Sequence, residues 1–312
     1  MGSPSLVMAR AAIDIGSNSI LLTVLDNAGQ ILVDEARVVG LGLGVDQSQN
    51  LQTERMQLGY SVLRDYVQLA AAHGVAAGQI RAAATSAARR AHNARAWFAQ
   101  IKETLGLSVD IISGAEEARL TWLGAMTDMP QPEQATLVVD LGGGSTELVF
   151  SQGSTIVART SVELGSVRET ERFLNQPPYQ EAQLAQLAAF IDAQLADVDW
   201  PFAPKRCVAV AGTATTLATL ALKLEHYDRT SLQHCTLSQH DLSQAITTLK
   251  DMSTEEQAKH VPASPARAPY LVAGAMILTR VLSASSCPSY VISDSGLRFG
   301  LLATDYRREP LP

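Results

Sequence analysis

Two stretches of this chain decide its fold: residues 13–19, Ile13-Asp14-Ile15-Gly16-Ser17-Asn18-Ser19, and residues 139–147, Val139-Asp140-Leu141-Gly142-Gly143-Gly144-Ser145-Thr146-Glu147. In each, an apolar strand ends in Asp, passes through glycine and hydroxyl residues, and continues into another apolar run. One glycine-rich turn is common in α/β proteins. Two such turns, roughly one domain length apart, indicate paired domains that bind one ligand from both sides.

The residue types in both stretches suit phosphate. A chain that turns tightly through glycine presents backbone N–H groups, and Ser or Thr adds hydroxyl donors; both kinds of group bind phosphate oxygens. The aspartate at each strand end, Asp14 or Asp140, suits Mg²⁺, because a hard cation prefers oxygen ligands. The two stretches therefore predict a polyphosphate ligand together with magnesium.

Composition limits the classes of function. A chain of 312 residues exceeds what one hydrophobic core usually supports, so we expect two domains. Hydrophobic residues make up 46% and charged residues 18%, as is typical of a soluble globular protein. The formal net charge of −7 gives no basic field that would gather nucleic acid or an anionic membrane. We therefore expect neither as a partner.

The cysteines and the apolar stretches indicate a location. Cys207, Cys235 and Cys287 are odd in number and lack Cys-x-x-Cys spacing, which disfavours a disulfide framework or a zinc site and favours the cytoplasm. The most apolar stretch, residues 268–282, is shorter than the roughly 20 residues that span a bilayer. It predicts a buried helix.

Strand and helix patterns alternate along the first part of the chain, which predicts a mixed sheet flanked by helices. Residues 53–73 predict a helix with Thr53 as its cap. The segment 127–132 predicts a loop near a domain boundary. After it, the strand–turn–strand pattern of the chain start returns, as a degenerate internal repeat.

Two carboxylates are candidates for activating water. Glu116 lies three residues after Ser113, the spacing of a capping box, so its structural role is favoured. Glu117 has no capping duty and points about 100° further around the same helix. Glu147 follows Ser145 by two residues and faces the same side if the strand has begun. From spacing alone, Glu117 and Glu147 are equally well explained as ordinary surface charges.

Two further positions suit anions. Arg89 follows a strand end and small residues, so it either grips a terminal phosphate with paired N–H bonds or is a solvated residue at a helix start. Gly212 and Thr213 form a third strand–glycine–helix junction, which either holds an anion at a helix N-terminus or serves tight packing. Sequence alone leaves both pairs of alternatives open.

Four motifs in order resemble the exopolyphosphatase / guanosine pentaphosphate phosphatase (Ppx/GppA) family in its short two-domain form. They are residues 13–19, Ala84-Thr85-Ser86-Ala87-Ala88-Arg89, Ile112-Ser113-Gly114-Ala115-Glu116-Glu117-Ala118, and residues 140–147. The resemblance covers residues 11–302. One motif departs from it: Phe299 in Leu297-Arg298-Phe299-Gly300 stands where many relatives have an acidic residue.

The resemblance implies an α/β fold with two ribonuclease-H-like domains of the actin-like ATPase superfamily, each a mixed sheet flanked by helices, with a cleft between the domains. The division expected is residues 1–128 and 129–312, with a C-terminal helix from about 303 returning to the first domain. A homodimer is common among relatives.

The resemblance also implies an activity: hydrolysis of the terminal phosphoanhydride of inorganic polyphosphate, with Mg²⁺. The alternative is removal of the terminal phosphate of guanosine pentaphosphate. A kinase or a nucleotide-switched actin-like assembly protein fits less well.

Position by position, the resemblance assigns Glu117 as catalytic base, Glu147 as the residue that places the water, and Arg89 as a phosphate contact. Asp14 and Asp140 would bind the metal. The phosphate-binding residues would be Gly16, Ser17, Asn18, Ser19, Gly142, Gly143, Gly144, Ser145, Thr146, Gly212 and Thr213.

Overall fold

The structure is a computed structural model that describes residues 9–127, 129–130, 134–174 and 176–303. The described strands are β1 (Arg10–Ile15), β2 (Ser19–Leu25), β3 (Ile31–Val38), β4 (Arg81–Ala84), β5 (Val109–Ile111), β6 (Ala135–Leu141), β7 (Thr146–Gln152), β8 (Thr155–Val162), β9 (Arg206–Val210), β10 (Thr236–Ser238) and β11 (Ser289–Ile292). The described α-helices are α1 (Val45–Ser48), α2 (Thr53–Ala72), α3 (Ser86–Arg90), α4 (Ala94–Leu105), α5 (Gly114–Met126), α6 (Ser166–Phe173), α7 (Glu181–Ala196), α8 (Ala211–Ala221), α9 (Arg229–Leu232), α10 (Gln239–Leu249), α11 (Thr254–His260), α12 (Leu271–Ser285) and α13 (Leu297–Ala303).

The chain forms two compact units. The first contains the residues up to Ser113 together with those from Leu297 onward, and the second contains Gly114–Gly296. These units divide the chain earlier than the boundary at 128/129 expected for the domains, which stays a prediction. The predicted helix from about 303 falls outside the described residues except for Ala303, the last residue of α13.

The first unit is built on a five-stranded mixed sheet in the order β3-β2-β1-β4-β5. The first three strands form an antiparallel meander, and β4 and β5 continue the sheet parallel to β1. Parallel strands end at the same edge of a sheet, so the segments that follow β1, β4 and β5 share one edge. The loop after β1 and the helix α3 after β4 therefore lie at that edge.

Helix α13 completes the first unit. It packs on β1 and β2, and the guanidinium of Arg10 donates to the carbonyl of Leu302 over 2.9 Å. The buried side chain of Arg298 forms an ion pair with Asp34 on β3. The neighbouring Phe299 has its ring centroid 5.6 Å from the Arg298 guanidinium.

The second unit is built on a six-stranded mixed sheet in the order β10-β11-β9-β6-β7-β8. Strands β6, β7 and β8 repeat the antiparallel meander of the first unit, and β9 and β11 run parallel to β6. This recurrence confirms the fold class that the sequence predicts: α/β, with a mixed sheet in each half.

Helix α12 forms the centre of the core of the second unit. Among the described residues, one helix, Pro265–Ser285, is long enough and apolar enough to cross a membrane by length and composition. However, 67% of its most apolar segment is buried within the protein. That burial agrees with the prediction of a core helix here. The helix begins as a 3₁₀ turn at Pro265–Tyr270 and becomes α-helical at Leu271.

One local prediction was wrong. Thr53 is the first residue of α2 rather than its cap; Gln52 holds the cap position without a side-chain bond. Separately, both carboxylate oxygens of Glu116 accept from the guanidinium of Arg119, over 2.8 and 2.7 Å, while its capping role stays a prediction. Residues three apart on a helix are neighbours, and this ion pair is of that kind.

Candidate active site

The two glycine-rich loops have the same local geometry. In the first unit the N–H of Gly16 donates to the carbonyl of Ser19 over 2.9 Å, and in the second the N–H of Gly142 donates to the carbonyl of Ser145 over 3.0 Å. Each bond closes a turn between the first two strands of a meander. The internal repeat predicted from sequence therefore extends to hydrogen bonding.

Each loop is also covered by a second glycine that lies just beyond the third strand. A Cβ on Gly42 would lie 2.8 Å from the Cβ of Ser17, and a Cβ on Gly165 would lie 2.3 Å from the carbonyl oxygen of Gly143. Real Cβ atoms essentially never approach that closely, so both positions need glycine for backbone-to-loop contact. Gly42 is also hydrogen-bonded to the loop that it covers, because its N–H donates to the carbonyl of Ser17 over 2.7 Å.

In the second unit, the start of α6 holds the loop from behind. The N–H of Ser166 donates to the carbonyl of Gly142, and the N–H groups of Val167 and Arg168 donate to the carbonyl of Gly143, each over 3.0 Å. The first N–H groups of a helix have no partner within the helix. Here they bind loop carbonyls, which fixes how the peptide groups of the loop are turned.

Asp140 and Glu147 face the same side of the sheet. They are register partners on the antiparallel strands β6 and β7, so their Cβ atoms lie about 5 Å apart. Ser161, opposite Glu147 on β8, donates its hydroxyl to Oε1 of Glu147 over 2.7 Å. This bond orients one of the two carboxylates.

Helix α5 brings a third carboxylate to this face. The helix lies across β6, β7 and β8, and the hydroxyl of Thr121 donates to Oδ2 of Asp140 over 2.8 Å. Glu117 is one turn before Thr121, so both side chains project from the same side of α5. The structure thus places Glu117, Asp140 and Glu147 on one face of the second unit.

All three carboxylates are buried. Their exposed fractions are 7% for Glu117, 8% for Asp140 and 1% for Glu147. Burial raises the pKa of Asp140 to about 6, against the opposing effect of the Thr121 hydrogen bond. Desolvation penalises the charged form of an acid, so a cation or a bound water beside these groups lowers the cost of keeping them ionised. The surface-charge interpretation of Glu117 and Glu147 is therefore wrong.

The candidate residues of the first unit lie at one edge of its sheet. Asp14, next to the end of β1, is the register partner of Ala83 on β4. Arg89, on the helix that follows β4, donates to the carbonyl of Ile112 over 3.2 Å. The loop residues Gly16, Ser17, Asn18 and Ser19 follow Asp14 directly, with Ser17 and Ser19 buried.

The third junction, between β9 and α8, is strained at its first residue. Ala211 has a φ of 71°, a conformation that non-glycine residues rarely adopt and that costs roughly 1–3 kcal/mol. The guanidinium of Arg267 lies against the α-carbon of Gly212, where a Cβ would come within 2.6 Å of its central carbon. Thr213 donates its hydroxyl to Ser166 over 3.2 Å, which ties this junction to the start of α6.

Some predicted phosphate ligands have hydroxyls engaged in the fold. The hydroxyl of Thr146 donates to the carbonyl of Leu164 over 2.7 Å, and Ser145 and Thr146 are both buried. In this arrangement the candidate donors of residues 143–145 are chiefly backbone N–H groups, since the N–H of Gly142 closes the turn. The bond from Thr146 also holds the segment that carries the covering glycine, Gly165.

The donor set fits a magnesium ion that is only partly ligated by protein. Within the described residues, no group of three or more His, Cys, Asp or Glu side chains could hold a metal ion. Magnesium usually takes one or two carboxylates and completes its shell with waters and substrate phosphates. A buried aspartate beside a phosphate-suited loop, such as Asp140, matches that pattern.

Sequence reasoning missed three elements of this site: the covering glycines, Thr121 and Arg267. The glycines had a signal, because Leu41-Gly42 and Leu164-Gly165 both follow the third strand of a meander. Thr121 was also accessible, since it is one helical turn after Glu117. Arg267 comes from a 3₁₀ turn distant in sequence, and only the packing of the second unit brings it to Gly212.

Comparison with known proteins gives a consistent result. The model of the Ppx/GppA phosphatase family matches residues 23–309. Exopolyphosphatase 2 of Mycobacterium tuberculosis is 34% identical over 284 residues, which are 86% of this chain and 88% of the relative.

Solved structures agree. The crystal structure of the Aquifex aeolicus member of the Ppx/GppA family has a TM-score of 0.79 and 32% identity, and the match covers 95% of this chain and 96% of that one. The crystal structure of an exopolyphosphatase from Cytophaga hutchinsonii has a TM-score of 0.86 and 25% identity, with 95% and 97% covered.

Proposed function

We propose that this chain, which belongs to the Ppx/GppA phosphatase family, is an exopolyphosphatase that hydrolyses the terminal phosphoanhydride of inorganic polyphosphate and releases orthophosphate. The observation that carries the proposal is the face of the second unit on which Glu117, Asp140 and Glu147 are buried beside the turn closed by Gly142 and Ser145. This face combines carboxylates that can orient and deprotonate a water molecule with backbone N–H groups that can bind the oxygens of a phosphate chain.

Substrate binding uses backbone groups of the two glycine loops. N–H groups in residues 17–19 and 143–145 donate to phosphate oxygens, while those of Gly16 and Gly142 close the turns; the start of α8 at Gly212 and Thr213 adds further donors. Arg89 in the first unit and Arg267 in the second supply positive charge. Guanidinium groups suit this task because their fork of N–H donors matches two phosphate oxygens at once.

Glu117 acts as the general base in this proposal. Phosphoryl transfer to water needs little beyond positioning and charge stabilisation, and a base that accepts the water's proton adds about 10²- to 10⁴-fold. Glu147 positions the water through the carboxylate oxygen that Ser161 does not bind. The Glu116–Arg119 ion pair leaves Glu116 without this role.

Asp140 is the residue of the second unit that would hold Mg²⁺, and Asp14 is its counterpart in the first. When bound, magnesium neutralises charge on the phosphates and on the leaving group. Thr121 keeps the Asp140 carboxylate oriented by its hydrogen bond. A cytoplasmic location is supported by the three free cysteines, and a homodimer stays a prediction from the family resemblance.

A side-by-side measurement of phosphate release tests the proposed function. The purified chain is mixed with long polyphosphate, short polyphosphate, guanosine pentaphosphate, and ATP without any acceptor, each with Mg²⁺. We expect the highest kcat/KM for polyphosphate and the release of one orthophosphate for each terminal phosphoanhydride bond that is cleaved.

Three results would argue for another activity. A higher kcat/KM for guanosine pentaphosphate than for either polyphosphate would make the chain a guanosine pentaphosphate phosphohydrolase. Phosphate release from none of the substrates, with ATP consumed only when an acceptor is added, would indicate a kinase. Nucleotide-dependent sedimentation of filaments would indicate an assembly protein.

A further inference from the structure

The second unit contains a cavity of about 520 Å³. Its walls are the last turn of α8 with the chain that follows it, one side of α10, and the end of α11 with the chain that follows it. Ligand pockets in proteins typically measure about 300–1,000 Å³. The cavity is therefore large enough for a small organic molecule.

The cavity lies at the opposite end of α8 from the phosphate-suited junction. That junction, at Gly212 and Thr213, begins the helix, whereas Leu220 near its end lines the cavity. Gly212 and Leu220 are eight helical residues apart, which corresponds to about 12 Å along the axis. Among the described residues, those that line the cavity include none that we place in phosphate binding or catalysis. The cavity is therefore a separate site.

The buried part of the cavity wall is apolar. It includes Leu224 after α8, Ala245 on α10 and Val261 after α11. Ala245 and Val261 are only 6% and 2% exposed, and both belong to the hydrophobic core of the second unit. An apolar wall of this kind suits the face of a planar ring, because both surfaces leave water on binding.

The remainder of the wall is polar, and the fold does not use these polar groups. Three of them come from α10, at positions 240, 244 and 248, which share one side of the helix because they are four residues apart. Polar groups around an apolar pocket are those that orient a ligand. Within the described part of the chain, six lining side chains form no hydrogen bond or ion pair with protein: Lys223, Glu225, His240, Gln244, Thr248 and His260.

The charges around the cavity disfavour a phosphate group. One lysine, Lys223, is set against two acids, Glu225 and Asp241. Asp241 also serves the start of α10, because its Oδ2 accepts from the N–H of Ser238 over 2.8 Å. With the histidines counted as neutral, the cavity has no excess of positive charge that would attract an anion. The ligand that fits is uncharged.

The unused polar groups match an adenine base. The amide of Gln244 combines a donor and an acceptor, which is the complement of adenine N7 and N6. The carboxylate of Glu225 accepts from an exocyclic amino group, and adenine has two amino hydrogens, one for each of these acceptors. The imidazole rings of His240 and His260 are of the kind that stacks on a base. A base with a carbonyl oxygen in place of the amino group would set that oxygen against both acceptors.

We propose that this cavity is a binding site for a nucleoside with an adenine base, bound without any phosphate. The base lies on the apolar wall, and Gln244 pairs with its N6 and N7 edge. Glu225 accepts the second amino hydrogen, and the histidines of α10 and α11 stack on the ring. Binding here uses none of the residues of the proposed hydrolysis, so the two proposals are tested independently.

Calorimetric titration of the full chain with adenosine, inosine and AMP tests the site. We expect saturable binding of adenosine. Inosine, which has a carbonyl oxygen where adenosine has the amino group, should bind about tenfold more weakly or worse, because one bidentate base contact is lost. AMP should bind no more tightly than adenosine, because the cavity has no excess of positive charge.

Two variants with the same substitution locate the ligand. Gln244→Leu removes the amide from an exposed position of α10 and should weaken adenosine binding about tenfold, with a melting temperature close to that of wild type. Gln68→Leu, at an exposed position of α2 in the first unit, is the matched control and should bind adenosine as wild type does.

Four results would overturn the proposal. They are no binding of adenosine at millimolar concentrations, inosine binding as tight as that of adenosine, AMP binding tighter than that of adenosine, and equal affinities in the Gln244→Leu and Gln68→Leu variants. The three ligands compared on the wild-type protein decide the matter even if a variant does not fold.

Discussion

Asp140 and Glu147 stand directly opposite each other on β6 and β7, with both side chains on the face that α5 covers. Like charges in this position repel each other, and both side chains are buried. Two buried carboxylates so close together destabilise the fold, but they suit an active site that binds a cation and a polarised water.

Replacement of Thr121 by Val should impair the reaction through Asp140. The Thr121 hydrogen bond lowers the pKa of Asp140, so its loss raises that pKa and leaves less carboxylate at neutral pH. We expect the acid limb of the pH–rate profile to move to higher pH, and kcat/KM at pH 7 to fall roughly tenfold, as the loss of one buried hydrogen bond allows. Thr121→Ser retains the hydroxyl and should keep the wild-type profile. An unchanged acid limb in the Thr121→Val variant would contradict the claim that Thr121 controls the reaction through the pKa of Asp140.

Replacement of Asp140 by Asn should change how stability depends on pH. Burial raises the folded-state pKa of Asp140 from 3.8 to about 6, so the folded state binds this proton more tightly than the unfolded state. The contribution of Asp140 to stability is therefore highest below pH 3.8 and declines as pH rises to about 6. In the absence of divalent cations, we expect Asp140→Asn to be more stable than wild type above pH 6, by up to about 3 kcal/mol.

Denaturant unfolding of both proteins from pH 4 to 8 measures this difference. Glu169, whose pKa burial raises to about 7, titrates in an overlapping window in both proteins and cancels in the comparison. Parallel curves for the two proteins would show that Asp140 is not the group responsible.

Magnesium should stabilise the wild-type protein and not Asp140→Asn. A ligand that binds only the folded state stabilises it by about 2.7 kcal/mol at 100 times its Kd. We expect the melting temperature of wild type to rise with Mg²⁺ and to return on chelation, measured by differential scanning fluorimetry. Equal shifts in both proteins would place the cation elsewhere, and the absence of any shift would indicate that binding needs the substrate phosphates.

Gly165→Ala should damage both stability and activity. The new Cβ would lie 2.3–2.4 Å from backbone atoms of Gly143 and Gly144, which cannot move without opening the loop. Overpacking of this kind costs about 1–3 kcal/mol. Gly78→Ala, where nothing lies within 4 Å of the new Cβ, is the control and should match wild type in melting temperature and kcat. A Gly165→Ala protein with wild-type kinetics would show that the cover over the loop has no role.

The sequence alone was sufficient to predict the glycine turns, which occur once in each half of the chain and depend on residues close together in sequence. The two Asp–Gly–Ser stretches predict two related turns, and the Gly16 and Gly142 turns confirm them down to the closing hydrogen bond. Such turns depend on neighbours in sequence, which is why the residues suffice. The roles assigned to Glu117, Glu147 and Arg89 rest on the family resemblance and stay predictions.

The rest depended on contacts between distant segments. Arg267 reaches Gly212 only through the packing of the second unit. The ion pair between Glu116 and Arg119 was not predicted either, because the spacing of Ser113 and Glu116 points only to a capping box. The burial of Glu117 likewise could not be predicted from its position in the first turn of a helix, since acidic residues are common there whether buried or exposed.

The most direct test of whether a buried carboxylate of α5 activates the water is to measure phosphate release from polyphosphate by the Glu117→Gln variant. The Glu116→Gln variant is its matched control. The account predicts that Glu117→Gln loses about 10²- to 10⁴-fold in kcat with a melting temperature close to that of wild type, while Glu116→Gln retains its activity. Near-wild-type kcat in a folded Glu117→Gln protein, or an equal loss in both variants, would contradict it.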